Sequence, residues 1–374
     1  MVLALVAPGA GAAEVAKSDN VRPIARFSYE GGTELAYDGR YLYAGRLDGI
    51  TQRGEKPDSG GVEIFDTRGK VKHVASISCP GNDNDVAIVR KGLLALAFHT
   101  NRCAAIGAGV AFFDVSDPRD PDPKPIGSIP APGSHTITPY PGTDLLYVNG
   151  GGLYGEPVSI VDTKDPAKPK IVAEFDAPPL GCHDMSFRIK KDSKLGFCAG
   201  EGQVTIFDVS DPLAPSVVSV IANPLIQFGH YALPSPDGEV LVIDDEAFVA
   251  HDCATGQSPT GAAWFYDISD PALPVLAGRF AVGRGAEPAG TDAGWTQSWC
   301  TSHHYNFVPG TRKLVISWFS AGTSVLDLSD PSAPEELAYY QPSDGVAYTS
   351  HYFGGRVFIN DSVRGLEVLK VKGL

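Results

Sequence analysis

Five short segments of this 374-residue chain place a histidine in the same local setting: GSHTIT, GCHDMS, FGHYAL, TSHHYN and TSHYFG, carrying His135, His183, His230, His304 and His351. The chain has nine histidines, so five in one recurring context point to a shared register rather than to scatter. Neutral imidazole is a ready ligand for zinc and for transition metals. Glu34 and Asp85 occupy two further equivalent positions. Three or four of the imidazoles with one of these carboxylates would suit zinc, iron, copper or nickel, whereas an all-oxygen calcium site calls for more carboxylates. The competing reading is a hydrogen-bonded polar ring around a wet tunnel, with imidazoles bonded to carbonyls and water and no ion present.

Other residues could supply acid, base or charge. His303 adjoins His304, and alternation along a strand turns neighbours to opposite faces, so His303 is expected in a loop or behind the ligands, free to move a proton. Arg46 and Arg364 are candidates to stabilise developing negative charge, with Tyr154 beside them as a further catalytic candidate. His99, Asp48, Arg53, Arg102, Asp244, Asp245, Glu246, Trp295 and Trp299 fall in the same zone, while His251 is expected to face solvent. No GxSxG elbow, HExxH helix, Walker loop or Rossmann fingerprint is present. Three functional classes follow. The leading one is a metal-dependent hydrolase, lyase or oxidase acting on a small molecule. The others are a metal-free His/Tyr acid–base enzyme and a secreted, non-catalytic scaffold that binds a protein or glycan.

Such residues, dispersed over more than 300 positions, converge only if the chain repeats itself around an axis. Six segments have a strand ending in Asp and followed by a turn: GVEIFDTRGK, GVAFFDVSDP, PVSIVDTKDPAKP, QVTIFDVSDPLAP, AWFYDISDPALP and TSVLDLSDPSAP, with aligned Asp66, Asp114, Asp162, Asp208, Asp267 and Asp327. A seventh, GLEVLKVKG, keeps the strand and loses the Asp. These carboxylates are read as structural, accepting backbone N–H bonds where the chain turns. A period of about 45 to 60 residues suits one four-stranded propeller blade. The last repeat lacks its fourth strand, and RPIARFSYE near the N-terminus supplies one. The expected fold is therefore all-β: one seven-bladed β-propeller over residues 22–370, closed when the N-terminal strand completes the last blade.

The repeat, with IFDVSDPLAP at 206–215 as its clearest copy, resembles the LVIVD-repeat β-propeller family. That resemblance implies the propeller fold and does not choose an activity, because propellers host unrelated functions. In the propeller register the loops 48–60, 99–108, 149–156, 246–262 and 281–303 share one face with the starts of the inner strands, the expected site of function.

The formal net charge is −14, which opposes binding to a nucleic-acid backbone. No run of 18 apolar residues suggests a membrane span. Residues 1–17, apolar and then rich in small residues, are read as a shortened signal peptide or an unordered N-terminus. Six cysteines allow fifteen pairings. The register favours Cys79 with Cys103, Cys182 with Cys198 and Cys253 with Cys300, in a periplasmic or extracellular setting.

Overall fold

The repeated strands alternate apolar and small residues and are separated by Gly-, Asp- and Pro-rich turns, and in the computed structural model they form sheets throughout. The structure describes residues 14–47, 60–82, 85–101, 103–104, 106–131, 134–150, 157–177, 181–247, 261–284 and 300–374. Among these no helix occurs. Five separate four-stranded antiparallel sheets follow one another along the chain. Two short strands, Gly81–Asn82 and Thr100–Asn101, pair with each other, and the remaining strands make a nine-stranded sheet, in which two antiparallel runs meet through a single parallel pair, Tyr305 with Ser350.

The aligned aspartates close turns, as their position implies. Each accepts the backbone N–H two residues on: Arg68 to Asp66, Ser116 to Asp114, Lys164 to Asp162, Ser210 to Asp208, Ser269 to Asp267 and Ser329 to Asp327, at 2.7–3.0 Å. The second Asp of each Asp-Pro turn does the same; Asp211 accepts from Leu213 and Asp270 from Ala272. These carboxylates are thus spent on the backbone at the turns.

The apolar core lies between consecutive sheets. Phe197 and Ile206 pack with Leu241, Ile243 and Trp264, and the series runs on until Phe358, Leu366 and Val368 pack against Leu42, Ala44 and Phe65 of the first sheet. The ring therefore closes on itself. Strand Val21–Phe27 pairs antiparallel with Gly365–Val371, covering the edge of the last sheet. Gly365 (φ 83°) opens that final strand where any side chain would collide with the Phe27 carbonyl, so glycine is required there. Val15–Lys17, which the sequence places outside the folded domain, pairs with Tyr340–Pro342 as an edge strand.

Two disulfides occur at the expected pairs, Cys79–Cys103 and Cys182–Cys198. Cys300 is also disulfide-bonded; its expected partner, Cys253, lies outside the described residues.

Deleting residues 14–27 should uncover the backbone of Gly365–Val371. At roughly 1 kcal/mol net per ladder hydrogen bond, the loss amounts to several kcal/mol. The expected outcome is a lower thermal midpoint and association in size-exclusion chromatography; an unchanged midpoint would show that this strand does not hold the ring closed.

Candidate metal centre

The seven innermost strands, Gly32–Tyr37, Asp85–Arg90, Thr136–Pro139, Asp184–Lys190, Gly229–Pro234, His303–Phe307 and Ala347–Phe353, are fastened to one another by side chains. Asp85 accepts the Ile137 N–H at 2.7 Å, Thr138 donates to the Met185 carbonyl at 2.8 Å, and Asn306 bonds both ways with Tyr352. Thr349 returns to the first strand by donating to Glu34 at 2.8 Å. This belt brings the starts of the strands to a common centre.

There the imidazoles form a continuous chain. Ring centroids lie 4.9 Å apart for His99 and His135, 4.4 Å for His135 and His183, 4.2 Å for His183 and His230, and 4.1 Å for His230 and His303. His304 closes the group at 4.5 Å from His230. His303 is fully buried, which strand alternation does not predict. A β-bulge explains it: the register shifts between His303 and Tyr305 against Ser317 and Ile316, so two adjacent histidines share one interior. A second bulge at Gly229–Ala232 sets His230 and Tyr231 against Asp244.

Three imidazoles are oriented by what their Nδ1 atoms meet. His183 Nδ1 donates to the His230 carbonyl at 3.0 Å, and His303 Nδ1 donates to the Tyr348 carbonyl at 2.7 Å. A carbonyl only accepts, so each Nδ1 carries the proton and each neutral ring keeps a lone pair on Nε2. His230 Nδ1 faces the Asp244 carboxylate at 3.4 Å. The His230 and His303 Nε2 atoms each lie 3.6 Å from an oxygen of Glu246. His183, His230 and Glu246 can offer donor atoms within 4.8 Å of one another, as can His230, His303 and His304. Two ligands at tetrahedral angles around a zinc-sized ion stand about 3.4 Å apart, close to these separations. His303 Nε2 has no hydrogen-bond partner among the described residues. Anchored Nδ1–H groups and converging free lone pairs are the arrangement of metal-binding histidines.

Burial sets the protonation of the centre. It drives His183, His230 and His303 well below the ordinary imidazole value and pushes His304 and His351 down to about 3. The same loss of water raises Glu34, Asp184 and Asp244 well above the carboxylate range, and burial with the Glu34 charge takes Asp85 up to about 8. His304 Nε2 lies 2.8 Å from Glu34. Glu34, Asp85, His135, His230, His304 and Tyr348 border a partly open space of about 20 Å³, enough for about one water molecule.

The remaining candidates fall elsewhere. His351 packs against Phe353, with Tyr348 and Thr349 taking the inward places at a third bulge. Arg46 is drawn into an ion pair with Glu63, and Arg364 into pairs with Asp344 and Glu367, so neither borders the cavity. Asp245 accepts the N–H groups of Gln227, Phe228 and Gly261 and serves as a loop clamp. Asp48, Arg53, Arg102, Tyr154, His251, Trp295 and Trp299 lie outside the described residues. Asp184 and Tyr348 were not singled out in the sequence; Asp184 directly follows a motif histidine, and the residue type gives no other signal.

A ring of antiparallel sheets around a polar axis defines a β-propeller. The LVIVD repeat model matches residues 266–282. No curated protein sequence matches the chain. Two solved structures share the fold. A periplasmic gluconolactonase of Pseudomonas aeruginosa superposes with a TM-score of 0.60 at 14% identity, over 83% of this chain and 85% of that one. The β-propeller domain of Cps50 (Swd1) from Myceliophteria thermophila superposes with a TM-score of 0.60 at 10% identity, over 94% of this chain and 99% of that domain.

The raised Asp85 gives a pH signature for chelator-treated protein. Its folded value of about 8 lies above the unfolded value of 3.8, so its contribution to stability is complete below pH 3.8 and is lost as pH rises through 8. The thermal midpoint should fall between pH 6.5 and 8, where unfolded histidines have already lost their protons. Asp85→Asn should flatten that fall; an equal slope in the variant would remove Asp85 as its source.

Proposed function

We propose that the protein is a metal-dependent hydrolase with a zinc or transition-metal ion held by His183, His230, His303 and Glu246. The carrying observation is that His183 and His303 are anchored through Nδ1 while the Nε2 atoms of His230 and His303 each lie 3.6 Å from the Glu246 carboxylate. Asp244 orients His230 from behind. A metal bound here would supply a Lewis acid that lowers the pKa of a bound water to about 7. The adjoining cavity has room for about one water molecule, the nucleophile that hydrolysis needs, and a substrate would approach from the end where the inner strands begin. Glu34 and His304, in contact across that cavity, are placed to hold or pass the water's proton.

The nine-stranded sheet is read as two blades bridged edge to edge by one residue pair, which makes seven blades with the five separate sheets. The gluconolactonase with the same fold makes lactones the first substrates to try. The disulfides suit a periplasmic or extracellular location.

Elemental analysis of extensively dialysed protein tests the centre, with glucono-1,5-lactone hydrolysis as the first assay. About one equivalent of zinc or transition metal per chain is expected. His303→Ala and Glu246→Gln should weaken metal binding by roughly 10- to 100-fold or more and reduce turnover with it. A metal-free wild type would overturn the metal centre. Bound metal without turnover of a lactone and ester panel would overturn the hydrolase and leave a scaffold for a protein or glycan partner.

A further inference from the structure

At the other end of the same sheets lies a groove of different character. The turn Gly354–Gly355 follows the inner strand Ala347–Phe353, whose start holds Tyr348 at the cavity. At about 3.3 Å per residue, the length of this strand puts the turn roughly 20 Å from the histidines. Around it opens a groove of about 720 Å³ where the last sheet meets the first. Arg22, Lys70, Arg356 and Lys370 line it, and no Asp or Glu does. Four cations without a carboxylate are unexpected in a chain of net charge −14.

The strand register sharpens the point. Arg22 and Lys370 are direct cross-strand partners in the pair that closes the ring, and like charges placed opposite one another destabilise a sheet. Further along the same two strands the register sets Arg26 opposite Glu367, an opposite charge, whereas Arg22 meets a like one. Arg22, Lys70 and Lys370 are exposed and form no ion pair among the described residues. Arg356 is held across the seam by donating to the Gly69 carbonyl at 2.9 Å and to the Thr67 carbonyl, which fixes its guanidinium without neutralising it. Gly69 and Gly355, both in left-handed turns with open space where a side chain would stand, leave the floor of the groove accessible.

We propose that this groove is a binding site for a small, multiply charged anion, a ligand bearing two or more phosphate or carboxylate groups, seated between the Arg22–Lys370 pair and the Lys70–Arg356 wall. The anion supplies the negative charge that the sequence omits and joins the closing strand to the first sheet. The site is independent of the histidine centre and does not require it to be occupied.

Calorimetric titration with inorganic pyrophosphate and, separately, with propane-1,2,3-tricarboxylate tests the assignment. One equivalent of at least one probe should bind the wild type and raise its thermal midpoint. Arg22→Ala/Lys370→Ala should weaken that binding roughly tenfold or more, as should Lys70→Ala in a different turn, because each removes a charge-assisted contact. His303→Ala should bind the probe as the wild type does, which separates the groove from chelation at the histidines. Tighter binding of pyrophosphate assigns a phosphate-bearing ligand, and tighter binding of the tricarboxylate a polycarboxylate. Failure of both probes to bind, equal affinity in both groove variants, or loss of binding in His303→Ala would overturn the proposal.

Discussion

The pairing of Val21–Phe27 with Gly365–Val371 is the constraint on which the other features depend. It joins segments more than 330 positions apart, and with it the packing of Phe358, Leu366 and Val368 against the first sheet. Only a closed ring brings Glu34 to within 2.8 Å of His304. The inner belt of cross-strand side-chain bonds acts in the same sense, because each strand is positioned by its neighbour and the last by the first. An open array of the same sheets would leave the histidines on separate edges.

Closure also decides the electrostatics. Inside the ring, imidazoles and carboxylic acids lie close together with little water, and both respond by becoming neutral: the histidines lose their protons and Glu34, Asp184 and Asp244 keep theirs. A neutral centre avoids the large cost of isolated buried charge. It is also prepared for a cation, since neutral imidazole is the ligating form and a carboxylic acid becomes a ligand by giving up its proton. The two ends of the molecule thus differ: one buries many titrating groups in neutral form, and the other exposes cations without counter-charges.

The repeat made much of this readable in advance. The Asp66 to Asp327 series could be assigned to turns because Asp followed two residues later by a bondable N–H is a local pattern, and local patterns survive in sequence. The N-terminal strand and the two disulfides between Cys79 and Cys103 and between Cys182 and Cys198 followed from the register of the blades. The register also located His183, His230 and His304. It missed the partnership of His303 because a bulge adds one residue without leaving a mark in composition, and alternation then points to the wrong face. The same irregularity exchanges His351 for Tyr348. Arg46 and Arg364 sat at suggestive positions, but their guanidinium groups follow the nearest buried carboxylates, Glu63 and Glu367, which belong to the blades and not to the axis.

The separation of the donors along the chain has a consequence for biogenesis. His183, Glu246 and His303 belong to three different sheets, and Thr349 and Glu34 steady the neighbouring cavity from the two ends of the sequence. A chain synthesised only as far as residue 246 therefore holds His183, His230 and Glu246 but lacks His303 and His304. The four-donor set proposed above is complete only once the sheet that carries His303 has joined the ring. Pairing the two ends of the chain, ordinarily a burden that slows folding, here fixes when the whole proposed set comes together.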